Sequence, residues 1–271
     1  MTIEEMKQKK KDFGYSYEMI AQRSGLPIGT VQKVLGGITK HPRYSTLKAL
    51  EKVFITYDFS FYDKDDIKNI LKEDEPAYGR TNMKKNEKKQ GEYTIADIDK
   101  LPDDKMVELI DGVIYDMSAP KTYHQLIAGL IFNKLLQFIS NNNGMCVPFI
   151  APTGVQLDDD EKTQVLPDVM IVCDRDKIDS KVVHGAPDFI VEVLSDSTKS
   201  KDMHIKLTKY ANAGVKEYWM IDPEKKKIIV NDFEHEDVNI YGFKDEVPVI
   251  IYGGKCVIDF NEISSYISFL I

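Results

Sequence analysis

The stretch that most limits how this chain can fold is Phe189-Ile190-Val191-Glu192-Val193-Leu194, five apolar side chains with one carboxylate among them. Alternation would mark a strand with one wet face. Its absence marks a central strand covered on both sides, as in a sheet flanked by helices. An unpaired carboxylate buried there costs several kcal/mol, so Glu192 requires a cation, a proton or an open cleft. Two other apolar runs carry the same anomaly: Asp168 opens Asp168-Val169-Met170-Ile171-Val172, and Glu108 interrupts Met106-Val107-Glu108-Leu109-Ile110. Each alone reads readily as a buried salt bridge. Together, the three can converge on one hard divalent ion, which takes oxygen ligands.

The surrounding pattern supplies the rest of a mixed α/β domain. Thr94 and Asp97 form a capping box that starts a short helix. Met106 to Ile110 and Val113 to Met117 flank Asp111-Gly112, a hairpin dipeptide. Leu126, Ile127, Leu130, Ile131, Leu135, Phe138 and Ile139 recur at helical spacing, predicting a core-packed helix over 123–140. Strands are expected at 145–150, 154–157, 169–172, 189–194, 217–221 and 228–231. A helix is expected from about Thr198 to Ala213, stopped by Gly214, and later short strands close the domain.

Charge divides the chain. Residues 1–90 carry 18 Lys+Arg against 13 Asp+Glu, a net charge of +5; residues 91–271 carry 18 against 31, a net charge of −13. Such a split between halves assigns them different partners, with nucleic acid suited to the basic half. With 42% hydrophobic and 30% charged residues the chain has the composition of a folded protein. No run approaches the roughly 20 apolar residues of a membrane-spanning helix, so an intracellular, cytoplasmic location without a membrane is expected. Cys146, Cys173 and Cys256 form neither a disulfide framework nor a zinc-ligand pattern, and are expected to be small reduced core residues.

In the basic half, Tyr17 to Ser24 and Ile28 to Leu35 are two short helices joined across Gly25, and a third runs from about Ser45 to Phe54. Ile20, Ala21, Leu26, Val31, Val34 and Leu35 form the expected core, covered by Thr46, Leu47, Leu50 and Val53. Gly29, Thr30, Gln32 and Lys33 stand exposed on the second helix. Small, amide and basic side chains suit base edges, while Lys40, Arg43 and the Lys7–Lys11 cluster suit phosphates. Residues 17–54 resemble the Cro/repressor-type helix-turn-helix family, which implies DNA binding. The expected organisation is therefore a helix-turn-helix domain (1–56), a charged linker with one short helix (57–91) and an α/β domain (92–271).

From about Tyr93 to Val230 the chain resembles the Uma-type restriction-endonuclease family, a branch of the PD-(D/E)XK nuclease superfamily. The matching residues are Glu108-Leu109-Ile110-Asp111-Gly112, His124, Leu166-Pro167-Asp168, Phe189 to Ser195, Lys206 and Tyr210 to Pro223. The resemblance implies a restriction-endonuclease-like fold and a Mg2+-dependent (or Mn2+-dependent) endodeoxyribonuclease. Asp168, Glu192 and Glu108 would hold the metal with the Val193 carbonyl, Lys206 would act beside them, and His124 is a supporting candidate. The superfamily's lysine two residues after the second acid is Leu194 here, and Lys206 on the following helix stands in for it. From spacing alone Lys206 reads equally as an exposed i,i+4 partner of Asp202. DNA is the expected partner and a homodimer the candidate assembly. The alternative is a DNA-binding regulator whose nuclease-like domain serves dimerisation or sensing.

Overall fold

A computed structural model describes residues 2–12, 15–39, 42–54, 88–102, 105–158, 161–195 and 205–271. The chain divides into two units, residues 1–71 and 72–271.

The first unit contains α1 (Ile3–Asp12), α2 (Tyr17–Ser24), α3 (Ile28–Leu35) and α4 (Tyr44–Phe54). Ile20, Val31, Val34, Leu35, Leu50 and Val53 are buried together, as their spacing predicts, with Ala21 and Leu26 packed against them. The lysine cluster at residues 7–11 sits on a helix of its own, α1, anchored by the fully buried Met6. Gly25 joins α2 to α3 at φ 66°, a left-handed conformation that glycine adopts without steric cost. With Val31, Val34 and Leu35 turned inward, α3 leaves Gly29, Gln32 and Lys33 exposed and Thr30 half-buried. Arg43 is exposed, and Lys40 lies outside the described residues.

The second unit is a mixed α/β fold with two main sheets. Its first described helix is α5 (Ile95–Ile98), started by the Thr94–Asp97 capping box. One sheet has the order β2-β1-β5-β4-β7, with β1 (Val107–Ile110), β2 (Val113–Asp116), β4 (Gly154–Gln156), β5 (Gln164–Val165) and β7 (Val182–His184). Asp111 and Gly112, at φ 51° and 75°, make the tight β1–β2 turn; a Cβ on Gly112 would meet the Gly91 carbonyl oxygen at 2.5 Å, so no other residue fits.

The larger sheet has the order β11-β10-β9-β8-β6-β3. Its strands are β3 (Val147–Ile150), β6 (Val169–Val172), β8 (Phe189–Val193), β9 (Glu217–Asp222), β10 (Lys227–Asp232) and β11 (Asp237–Gly242). β8 is central and buried at all five positions, running parallel to β9 and antiparallel to β6. α6 (Thr122–Asn141) packs across β3, β6 and β8, burying Ile127, Ile131 and Leu135. α7 (Leu207–Ala213) ends at Gly214 in the left-handed conformation. The part of the expected helix before Ile205 lies outside the described residues.

Two expectations are corrected. The end of the chain is a hairpin, β12 (Glu246–Val249) with β13 (Cys256–Asp259), followed by a helix, α8 (Phe260–Ile267), rather than strands alone. Asp259 caps α8 by accepting from the Asn261 and Glu262 amides, and Phe260, Ile263 and Ile267 bury its inner stripe. Cys146 and Cys173 form a disulfide, against the expectation of reduced cysteines. The cause is register: β3 pairs with β6 as Val147↔Val172, and the next pair outward is Cys146 opposite Cys173. Cys256 is free and buried. Among the described residues no helix is long and apolar enough to cross a membrane.

Candidate active site

Strand pairing brings the acids together. β6 and β8 pair as Val169↔Val191, and extending that ladder by one residue sets Asp168 opposite Glu192. Directly opposed residues in an antiparallel pair share a face. Asp168 accepts at Oδ2 from the Val193 backbone N–H at 2.8 Å, and His124 Nε2 stands 3.1 Å from the same oxygen. His124 comes from the first turn of α6 and is buried, so α6 positions it against the end of β6.

Glu108 arrives from the other sheet. It is the second residue of β1, fully buried, and its Oε1 accepts from the Leu166 amide at 3.0 Å. That amide belongs to the segment between β5 and β6, so one hydrogen bond ties Glu108 to the approach to Asp168.

The Lys206 ammonium is the cation that the buried carboxylates require. Its Nζ lies 2.7 Å from Glu192 Oε1 and 2.8 Å from Glu108 Oε1, with Lys206 only 2% exposed. The reading of Lys206 as an exposed partner of Asp202 therefore fails on burial; Asp202 itself lies outside the described residues. Lys206 stands at the N-terminal end of α7, and four residues on, the Tyr210 hydroxyl donates to the same Glu192 Oε1 at 2.8 Å. Residues i and i+4 share a helix face, so Lys206 and Tyr210 reach one oxygen from one side. Burial, reinforced by the Glu192 charge, raises the Tyr210 phenol well above its ordinary pKa, which keeps it a donor.

Neither the Tyr210 hydroxyl nor Lys209 is among the site residues expected from the sequence. The i+4 spacing from Lys206 was the available signal for Tyr210. Lys209 Nζ contacts Asp111 Oδ1 at 2.5 Å, in the β1–β2 turn, and Asp158 Oδ2 at 2.7 Å. Burial opposes its charge, yet the two carboxylates hold its pKa above the ordinary value. Lys209 thereby ties α7 to the hairpin that carries Glu108.

The donor chemistry suits a hard cation. Asp168 and Glu192 are carboxylates set opposite one another on adjacent interior strands of the buried sheet, and Mg2+ is commonly held by one or two carboxylates together with waters and substrate phosphates. Among the described residues no cluster of three or more His, Cys, Asp or Glu side chains is arranged to hold a metal ion, and the Lys206 ammonium stands between Glu108 and Glu192. The fit is therefore to a two-carboxylate site with Lys206 beside it.

Residues 95–249, more than half of the chain, match the family described as "Uma2: Putative restriction endonuclease". A solved structure described as a putative nuclease belonging to DUF820 from Anabaena variabilis ATCC 29413 superposes with a TM-score of 0.54. The superposition covers 64% of this chain and 98% of that one at 18% identity, a likeness of fold. No curated protein matches the chain.

Proposed function

The chain belongs to the Uma2 restriction-endonuclease family, and we propose that it is a Mg2+-dependent DNA endonuclease delivered to its substrate by its basic N-terminal unit. The observation that carries this reading is the buried Lys206 ammonium held between Glu192 and Glu108, beside an Asp168 paired across the sheet from Glu192. Structural cores seldom bury three carboxylates and a lysine at one point, whereas phosphodiester hydrolysis requires acid and cation together.

Asp168 and Glu192, with the Val193 carbonyl, would hold the metal; when bound it supplies Lewis-acid polarisation of a phosphate oxygen and lowers the pKa of water. The protein's own groups do the rest. The Val193 amide and His124 fix the Asp168 carboxylate, so it is oriented before substrate arrives. Lys206 orients the attacking water and offsets the negative charge that grows on the phosphate oxygens. Glu108 is the counterion that aims the Lys206 ammonium, and Tyr210 holds the shared Glu192 oxygen in place.

In the first unit, α2 and α3 are the proposed helix-turn-helix, with Gly29, Thr30, Gln32 and Lys33 facing base edges and Lys40 and Arg43 facing phosphates. The outward side of α3 supports this role, since Gln32 and Lys33 are exposed beside the buried Val31 and Val34. Two such sites cut both strands of a duplex in one encounter, and a homodimer is the proposed way to bring them together.

Plasmid nicking and linearisation tests the reading, with Mg2+, Mn2+ or EDTA and with Asp168→Ala and Glu192→Ala. Cutting is expected with metal alone and is expected to vanish in both variants. Absence of metal-dependent cutting from the folded parent protein would overturn the nuclease and leave a DNA-binding regulator.

A further inference from the structure

The strands β9, β10 and β11 are joined by two turns of the same construction and opposite charge. Asp222-Pro223-Glu224-Lys225-Lys226-Lys227 links β9 to β10, and Asp232-Phe233-Glu234-His235-Glu236-Asp237 links β10 to β11. In each, the leading aspartate accepts at Oδ1 from the backbone N–H three residues on, Lys225 in one turn (3.0 Å) and His235 in the other (3.1 Å). In each, the fifth residue is left-handed, Lys226 at φ 51° and Glu236 at φ 54°. The backbone thus accepts either charge, and turn geometry does not explain why one turn ends Lys-Lys-Lys and the other His-Glu-Asp.

Position does. β9 runs parallel to β8 with Glu192 beside Met220 and Val193 beside Ile221, so the lysine turn leaves the sheet at the end where Glu192 stands. The acidic turn lies at the opposite end, where Asp232 pairs with Glu217. Lys227 pairs with Asp222, two residues beyond Met220 and two strands from β8. Strand spacings then place the Lys227 and Glu192 Cα atoms roughly 12 Å apart, about the rise of three base pairs along a DNA duplex. Lys225, Lys226 and Lys227 are exposed. Lys121, at the start of α6, reaches 3.6 Å from Glu224 in the same turn, and the first turn of α6 also carries His124 to Asp168. In residues 91–271, where acids outnumber bases 31 to 18, this is the only run of three consecutive basic residues. Three adjacent like charges repel one another, and a polyanion offsets that repulsion.

We propose that Lys225, Lys226 and Lys227, with Lys121 beside them, form a phosphate-backbone contact of the nuclease unit that holds DNA flanking the scissile phosphate. The inference rests on the nuclease reading for its substrate, and it gives the acidic unit its own hold on DNA, independent of the N-terminal helices.

The test measures affinity of the full chain for a short random-sequence duplex as a function of salt, with Ca2+ in place of Mg2+ to separate binding from cutting. The triple variant Lys225→Gln/Lys226→Gln/Lys227→Gln is compared with the double variant Glu234→Gln/Glu236→Gln in the matching turn. Each phosphate contact contributes about 0.9 to the salt slope, so the triple variant is expected to lose between about 2 and 3 of it. A fourfold rise in salt would then weaken the triple variant roughly 40-fold less than the parent. The acidic-turn variant is expected to keep the parental slope. An unchanged slope in the triple variant overturns the contact, even if the parent protein cuts DNA. A comparable slope change of opposite sign in the acidic-turn variant also overturns it, since the pair would then report net charge rather than place. Loss of slope confined to the lysine turn, in a parent that binds but never cuts, upholds the contact and removes the nuclease.

Discussion

Replacing Lys206 by Met keeps most of the side-chain volume and removes the ammonium between Glu108 and Glu192. Each carboxylate oxygen lies 2.7–2.8 Å from Nζ, a separation that corresponds to about 6 kcal/mol of attraction at an effective dielectric of 20. Desolvation of the three buried ions takes back several kcal/mol apiece, and removing one partner from such a cluster has a net cost of about 3–5 kcal/mol. Lys206→Met is therefore expected to lower the stability of the nuclease unit by that amount at neutral pH. Glu108→Gln in the Lys206→Met background removes one of the two stranded charges and is expected to recover at least about 1 kcal/mol, a coupling within the range for contacting residues. Trp219 is the only tryptophan and is fully buried in β9, so urea unfolding followed by its fluorescence reports this unit alone. The measurement belongs in EDTA, so that no divalent ion substitutes for the ammonium. A loss below about 1 kcal/mol in Lys206→Met, with no recovery in the double variant, would show that the lysine does not hold these carboxylates.

Other consequences follow from groups away from that oxygen. Burial pushes the Glu217 carboxyl from 4.5 up to about 7, opposed by the amides of Ile251 and Ile250 and by Trp219 Nε1. The folded state thus holds this proton more tightly than the unfolded chain, which stabilises it in full below about pH 4.5 and is lost as pH rises through about 7. The gap is worth about 3 kcal/mol, and Glu217→Gln is expected to remove that slope from the parent's pH–stability curve, followed by circular dichroism in urea; parallel curves would refute it. Lys209→Met breaks contacts to Asp111 and Asp158, which are 62% and 29% exposed and can rehydrate. Its expected cost is only about 1 kcal/mol by the same unfolding assay, well short of Lys206→Met. In the N-terminal unit, Arg43→Ala is expected to reduce the salt slope of DNA binding by about 1, and Gln32→Ala to relax base preference by about 1–3 kcal/mol in competition binding.

What the sequence made legible was whatever local chemistry determines. The unalternating run at 189–193 could only be a doubly covered strand, the Asp111-Gly112 pair could only turn tightly, and the Thr94–Asp97 box announced α5. β5 and β7, two and three residues long, are too short to show a period and exist because neighbouring strands pair with them. The helix α8 was readable in retrospect from Asp259 as a cap and Phe260, Ile263 and Ile267 as a stripe. The Cys146–Cys173 bond was not, because 27 residues separate the cysteines and only the β3–β6 register makes them opposite. At the site, each carboxylate stood out as a charge in an apolar run, but its partner did not. Burial of Lys206 depends on where α7 crosses the sheet, and the Tyr210 hydroxyl shows itself only once Glu192 is beside it.

The placement of Lys206 bears on what the chemistry demands. In a strand, residue i+2 returns to the face of residue i, so position 194 would present a lysine on the Glu192 side of β8. Here that position is the buried Leu194, and the ammonium comes instead from α7, fourteen residues after Glu192. If the charge beside Glu192 is what matters, its covalent origin is exchangeable. Leu194→Lys in the Lys206→Met background is therefore expected to recover part of what Lys206→Met loses. An acid–base or electrostatic group of this kind is worth about 10²–10⁴ in rate, so recovery of at least about tenfold in plasmid cutting is the expected result. The same double variant should regain stability by Trp219 fluorescence, because the new ammonium again neutralises Glu192. Regained stability without regained cutting would refute exchangeability and show that the approach from α7, on the side of Glu108 and Tyr210, is itself required.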